Sequence, residues 1–566
     1  MFATWAILLC LAIAFQLGSR PLFDDDEGRN AEAMREMSVS GDFFVPHFNG
    51  LLFLDKPFLY FAAGGLAMKV FGVNEVAARL PGVLCTILLA CGVGAVARRW
   101  WGRRAGVLAG IAAAAAPLPL VYSQMVIFDA MLTLWICAAV AALYLAVERE
   151  PATPAPAPCA DDQRGSFRYW SAVAWAAMGL GVVTKGPVAL LVPLAAVLPW
   201  ALWRRRAGRL VERGAPLALL VVIVPWVFLV SRADPHFLRY ALVTETWSRL
   251  TSNELKRDAP AWYYLPVVLF GALPWSVAPL AGWRRIAAAW RARESAVRFL
   301  VLWFVVPFLL FSGMHSKRAH YILALVPALV LLSIWLWVGT PRGERLPGVR
   351  VAAALWSTLG LGLLAVGLGA APQLLAKVDG PQPATVVNLA LALGAAWSLA
   401  GLFGWTSSRA LLPAFCALTL PPVALLLLTA PLAAELGKDQ SSRELARLIE
   451  SDYAAGIEVV AVETFPASLP FYLGHPLVLM SVDGATLRSN YILRRHSQMV
   501  DDAGPLRSPS WLAGAMADCR TPRLFLVWHQ DDPARAQLAA TGRPMRAGGR
   551  NRFLFGLCPD APATAR

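Results

Sequence analysis

The sequence predicts an all-α polytopic membrane protein of about 13 transmembrane helices with additional interfacial helices, followed by a small C-terminal α/β domain. Three observations carry that prediction. Of 566 residues, 58% are hydrophobic and 15% charged, whereas an average soluble chain carries about 25% charged residues. Apolar runs close to the length that crosses a bilayer core recur down to residue 432. Beyond residue 434 the runs become short and alternate with polar, helix-forming segments.

Taken in order, the spans are expected at 2–19, 78–97, 105–121, 127–147, 169–183, 187–203, 215–231, 262–282, 299–314, 319–338, 351–370, 386–404 and 410–432. The first run lacks a basic leader and a small-residue cleavage site, so it reads as a span and not as a removed signal. The stretch "PATPAPAPCADDQRG" (151–165) reads as a Pro/Ala linker with no chemistry in it.

The net charge of +15 does not point to nucleic acid. The Arg residues sit in short loops, "RRWWGRR" (98–104), "RRRAGRLVERG" (204–214), "WRRIAAAWRARESAVR" (283–298) and "PRGERLPGVR" (341–350), all on one side of the membrane under a single topology. Positive residues mark the cytoplasmic side. The opposite, outer side receives the acidic loop 21–57, "TKGP", the 232–261 loop and "HSKRAH". Arg20 stands on the wrong side of the first span, an exception to the rule. Everything after residue 434 is expected outside the cytoplasm. There, Ser441 and Glu444 form a capping-box pattern, and "IEVVAV", "HPLVLMSV" and "RLFLVWH" read as strands.

The first outer loop carries two helices expected to lie along the interface. "DEGRNAEAMREMSVSGD" has an acidic first turn that suits the helix dipole, and "PFLYFAAGGLAMKVFG" (57–72) is apolar but too short to cross. Ionisable residues gather at this outer edge: Asp24, Asp25, Asp26, Glu27, Asp55, Lys56, Asp129, Lys185, Glu245, Arg249, Ser316, Lys317, Arg318 and His320. Charge at membrane depth is costly and usually functional. A rim of mixed charge on one face suits a cavity in which cations hold a phosphate and carboxylates orient or deprotonate a nucleophile. Asp24 and Asp25 are expected to cap the first helix and face water.

The eight cysteines show no metal-binding spacing. Cys10, Cys85, Cys91, Cys137 and Cys416 lie in apolar spans, as small buried hydrophobes do. Cys519 and Cys558 are the pair on the outer side; spacing alone does not establish a disulfide between them. His47, His236, His315 and His320 have no zinc-like spacing and read as interface or loop residues.

"LFDDDEGRNAEAMREMSVSGDFFVPHFNGLLFLDKPFLYF" resembles the first periplasmic loop of the bacterial lipid A aminoarabinose transferases. "FGVNEVAARLPGVL", "VTKGPVAL", "DPHFLRY" followed by "WYYLPVVLFGALPWS", and "SLPFYLGHP" fit the same family in the same order. That family belongs with the protein O-mannosyltransferase-like enzymes of the GT-C superfamily. The resemblance implies a GT-C membrane domain over 1–434, with its first periplasmic loop at 20–77, and a periplasmic α/β domain over 435–566. It also implies an inverting glycosyltransferase of the bacterial inner membrane that uses an undecaprenyl-phosphate sugar as donor and lipid A or lipopolysaccharide as acceptor, among membrane lipids.

By position, Asp26 and Glu27 match the family's key acidic pair, Asp129 its second acidic residue, and Asp55-Lys56 its Glu-Lys-Pro motif, with Asp in place of Glu. Lys185, Glu245, Arg249, Lys317 and Tyr321 complete the expected substrate-binding set. "HSKRAHYIL" departs from the more usual Lys-Leu-Pro-Thr-Tyr arrangement, which leaves the sugar open between aminoarabinose and a hexosamine. No cofactor is expected to be required. A divalent cation such as Mg2+ or Mn2+ stays open, because clustered Asp can bind one. A protein O-glycosyltransferase and a lipid-linked sugar transporter are the alternatives. The second should show inverted repeats, and none is visible.

Overall fold

The computed structural model describes residues 13, 17–148, 160–212, 214–241, 259–370, 382–453, 457–518, 522–528, 532–542, 545–547 and 552–555. Two compact units result, one of Met1–Ser19 with Arg79–Leu432, the other of Arg20–Ala78 with Ala433–Arg566. The sequence suggests a division near residue 434; the contacts instead gather the first outer loop with the C-terminal segment.

The first unit is helical. Among the described residues of the chain, eight helices are long and apolar enough to cross a membrane. Glu75–Ala115 is in fact two helices, separated at Gly102 (φ 87°) inside "RRWWGRR", so the two expected spans there survive as a helical hairpin. The second of them stops at Ala115, and Pro117–Ser123 forms a separate short helix, because Pro117 forces Ala116 out of the helical region. The expected 2–19 span falls mostly outside the described residues. Of the 151–165 linker, residues from Ala160 onward already belong to the helix Ala160–Lys185, an earlier start than the sequence suggests.

The expected span 262–282 is not one helix. A 3-10 turn at Ala261–Tyr263 leads into Tyr264–Gly271, and only Val277–Ala281 follows beyond Pro274. Proline lacks the N–H an uninterrupted helix needs, and its ring clashes with the preceding turn. Elsewhere, small residues let helices approach closely. A Cβ on Gly401 would stand 2.5 Å from Ala353 O, which locks Val349–Ala365 against Pro383–Thr406.

The second unit combines a small hairpin, β1 (His47–Phe48) and β2 (Leu51–Leu52), with a six-stranded sheet of β3 (Glu458–Val462), β4 (Val478–Met480), β5 (Leu506–Arg507), β6 (Arg523–Trp528), β7 (Met545–Ala547) and β8 (Arg552–Phe555). Strand order is β5-β4-β3-β6-β8-β7; the pairs among β3 to β6 are parallel, and β8 runs antiparallel to both β6 and β7. The unbroken apolar runs of β3 and β6 follow from burial on both faces. Val460, Val462, Phe525 and Val527 face Leu512 and Leu538, whereas Val459, Leu524 and Leu526 face Leu445, Ile449 and Leu469. The three strands read from the sequence are therefore β3, β4 and β6, and the short β5, β7 and β8 carried too little pattern to be seen.

The capping box expected at Ser441 is not formed. The helix Arg443–Asp452 has Ser442 at its N-cap with no side-chain cap, because the Ser442 hydroxyl is used elsewhere. Cys519 and Cys558 lie outside the described residues.

Candidate active site

Each unit carries its own polar cluster. In the second unit, Asp24–Gly28 forms one π-helical turn, closed by Gly28 N–H donating to Phe23 O at 2.7 Å, which leads into the helix Arg29–Ser40. This wide turn sends its acids in different directions. Asp24 does not face water as expected. Its carboxylate accepts from the Ser442 hydroxyl at 2.8 Å and from the Ser468 N–H at 3.1 Å, and it also bonds the Ser468 hydroxyl. That pulls the turn onto the helices Arg443–Asp452 and Leu469–Leu473. Gly28 of "DEGR" is needed for the approach, since a Cβ there would stand 2.6 Å from Ser468 N. The side chain of Asp25 lies outside the described residues.

Glu27 is buried, and Arg20 grips both its oxygens, with Nη2 at 2.9 Å from Oε1 and Nη1 on Oε2. Asp26 differs: its side chain is 51% exposed, and it pairs with Arg29 at 2.6 Å. Arg29 in turn donates to Arg488 O at 2.8 Å. Of the acidic pair, Asp26 is the one that a substrate can approach.

Asp55 caps a helix. Its carboxylate accepts from the N–H groups of Asn490 (3.2 Å) and Tyr491 (2.8 Å), at the start of Asn490–Met499. Lys56 Nζ donates to Asp55 O at 2.9 Å. Farther along the loop, Asn49 mimics a strand partner, exchanging both hydrogen bonds with Leu477 at 2.9 and 2.7 Å.

Beneath these, Arg35 clamps Glu32 through two bonds of 2.7 Å and donates to Gly474 O. Burial lifts the Glu32 carboxyl above its ordinary range. Glu36, half-buried beside it and accepting from Gly50 N–H at 3.0 Å, is pushed up to about 8, first by desolvation and then by the Glu32 charge. A carboxyl raised in the folded state keeps its proton while the unfolded chain releases it, so stability falls as pH rises from about 4.5 to about 8. Amide exchange of Arg29–Ser40 in the purified protein should accelerate across that interval beyond the chemical rate, and Glu36→Gln should flatten the trend.

In the first unit, Asp129 opens the helix Asp129–Glu148, where the dipole favours an acid, and Lys185 closes Ala160–Lys185, where it favours a cation. Gly186, at φ 111°, turns the chain away so that the ammonium is presented at the helix end. Lys185 Nζ lies 2.6 Å from Asp129 Oδ1 and 5.2 Å from the Tyr321 ring centre. His320, on the 3-10 turn Ala319–Leu325, places Nε2 3.7 Å from Asp129 Oδ2. Reading it as an interface or loop residue of the outer edge did not anticipate this approach; its place directly before Tyr321, in the departing motif, was the available signal. Lys317 is buried, donating to Ala259 O at 2.9 Å and to Met314 O. Glu245 and Arg249 lie outside the described residues.

Among the described residues, no group of three or more His, Cys, Asp or Glu side chains is placed to hold a metal ion. Asp24, Asp26 and Glu27 are each engaged by different protein partners, so their oxygens do not converge.

The descriptor of dolichyl-phosphate-mannose-protein mannosyltransferases matches residues 55–230. The undecaprenyl phosphate-alpha-4-amino-4-deoxy-L-arabinose arabinosyl transferase of Aeromonas salmonicida is 31% identical over 432 residues, covering 74% of this chain and 76% of the relative. That of Edwardsiella ictaluri is 34% identical over 367 residues, so the match spans 64% of the length of each. ArnT from Cupriavidus metallidurans, crystallised with undecaprenyl phosphate, superposes with a TM-score of 0.81 over 99% of this chain and 98% of its own at 23% identity, a likeness of fold. With a multi-pass helical unit, a small mixed-sheet unit and relatives of this kind, the chain belongs to the undecaprenyl phosphate-4-amino-4-deoxy-L-arabinose arabinosyl transferase family, of the GT-C, protein O-mannosyltransferase-like type.

Proposed function

We propose that the chain is an inverting glycosyltransferase of the bacterial inner membrane. It moves an amino sugar, aminoarabinose or a hexosamine, from undecaprenyl phosphate to a lipid A phosphate at the periplasmic face. The product lipopolysaccharide carries less negative charge, which gives resistance to polymyxin and other cationic peptides. The observation that carries this reading is the ion pair of Asp129 and Lys185, little exposed and built from two helix ends. The one-sided distribution of Arg supports the orientation, and the names of the relatives support donor and acceptor.

The chemistry fits such a pair. An oxygen of the acceptor phosphate attacks the anomeric carbon from the face opposite the donor. The bond from that carbon to the donor phosphate oxygen breaks, and its electrons stay on the departing undecaprenyl phosphate. That leaving group needs positive charge and no proton. Lys185 supplies it; the resemblance drawn from the sequence offers Lys56, Arg249 and Lys317 as further cations, and Glu245 and Tyr321 for the sugar and phosphate. The acceptor is already ionised, so no strong base is required, and Asp26 orients it or steadies charge developing on the sugar. Glu27 acts through Arg20, by fixing the turn that presents Asp26, and Asp55 by capping the helix Asn490–Met499. No metal enters this scheme, since lysine and arginine charges do the neutralising.

Purified protein incubated with Kdo2-lipid A and a panel of undecaprenyl-phosphate sugars, with and without EDTA, tests the reading by lipid A mass. A pentosamine or hexosamine adduct is expected, unaffected by EDTA and reduced about a hundredfold or more in Asp26→Asn. Loss in EDTA with rescue by Mg2+ would overturn the metal-free scheme. The mannosyltransferase match over 55–230 favours a second reading, a protein Ser or Thr acceptor. A sugar appearing on protein and never on lipid A would establish it.

A further inference from the structure

We propose that His320 is a positioning residue of the phosphate-holding group, its imidazolium taking the second oxygen of Asp129 and so releasing Lys185 to a phosphate. This rests on the reading that Lys185 receives the donor phosphate. Asp129 has two oxygens and two cationic neighbours: Oδ1 lies 2.6 Å from Lys185 Nζ, and Oδ2 lies 3.7 Å from His320 Nε2. The imidazole is held from two sides, edge-on to the Tyr122 ring at 5.4 Å and to the Tyr321 ring at 5.0 Å.

The charge count decides the consequence. With His320 neutral, Asp129 and Lys185 cancel, and an arriving phosphate must compete with Asp129 for the ammonium. With His320 protonated, these three side chains carry one more positive charge than with it neutral. Breaking the sugar–oxygen bond converts a phosphodiester with one negative charge into a monoester that gains a second, so the added positive charge matches what the leaving group acquires. The charged groups beside the imidazole are Asp129 and, across it, Lys185. Tyr122 and Tyr321 are neutral, and Arg318 and Tyr263 act on Tyr122 from neighbouring turns. In the resemblance drawn from the sequence, the residue before the motif's tyrosine is more usually Thr; here it is His320.

The test is binding of undecaprenyl phosphate to the full-length protein in detergent, from pH 5.5 to 8.5, for wild type, His320→Asn, His320→Thr and Lys185→Ala. Titration of the phosphate itself is common to all four, so the ratio of variant to wild-type Kd at each pH reports on His320. That ratio should be about fivefold at pH 5.5 and approach unity by pH 8.5 as the imidazole loses its proton. His320→Thr keeps the test open should His320→Asn fold poorly, as judged by its thermal melt. A ratio near unity at every pH, or one independent of pH, overturns the proposal if Lys185→Ala still weakens binding. Unchanged binding in Lys185→Ala instead overturns the phosphate reading on which it rests.

Discussion

Lys185→Ala should lower sugar transfer about a hundredfold to a thousandfold, the range seen when one preorganised charge-stabilising donor is removed from an active site. The substitution acts twice. It removes the cation offered to the departing phosphate, and it leaves Asp129, 4% exposed, facing His320 alone. A carboxylate stranded at membrane depth is costly. Part of the loss should therefore come as lowered thermal stability in detergent, and Lys185→Ala with Asp129→Asn should recover that stability and none of the activity. Steady-state transfer with donor and acceptor varied separately checks it: the donor KM should rise and kcat should fall, while the acceptor KM moves little. A change confined to the acceptor would remove Lys185 from the phosphate.

Arg20→Met should destabilise the second unit by about 3–5 kcal/mol, the cost of breaking a buried ion pair from one side. Its side chain is 9% exposed and that of Glu27 is 4% exposed, so the remaining carboxylate has no solvent to turn to. Arg20→Met combined with Glu27→Gln should recover much of the loss, because the neutral amide no longer needs a cation. Proteolysis of the first outer loop and thermal unfolding of the full-length protein provide the readout. If Glu27 itself served the reaction, the double variant would be stable and inactive; retained transfer would leave Glu27 its structural task alone.

The same pair shows how far reading the sequence could go. Arg20 looked like an exception to charge asymmetry, because that rule treats each loop charge as independent of its neighbours. Folding made it the partner of Glu27, seven residues on. The acidic run suffered similarly. The sequence set Asp24 and Asp25 apart from Asp26 and Glu27 as water-facing caps, but the π-helical turn gave each described acid a separate partner, and the partners of Asp24 come from positions 442 and 468. Asp55 likewise engages backbone at 490 and 491. No local pattern encodes a partner more than 400 residues away.

Where the information is local, the sequence sufficed. Hydrophobic length marked most spans, because a bilayer imposes one length on every helix that crosses it. Pro274 interrupts 262–282, whereas Pro225 and Pro307 stand inside unbroken helices, so the missing N–H alone did not say which proline ends a span. Apolar runs of four and five residues marked β3 and β6, and the placement of Asp129 and Lys185 at helix ends was visible from "FDAML" and "VTKGP". What tertiary structure alone decided was which charges meet. The chain by itself determined a multi-pass membrane fold, its family and the residue types available for handling a phosphate. Only packing brought Lys185 and His320 to opposite oxygens of Asp129 and left Asp26 exposed while Glu27 was buried, because contacts between distant segments depend on how helices and strands assemble and not on the residues beside them in the sequence.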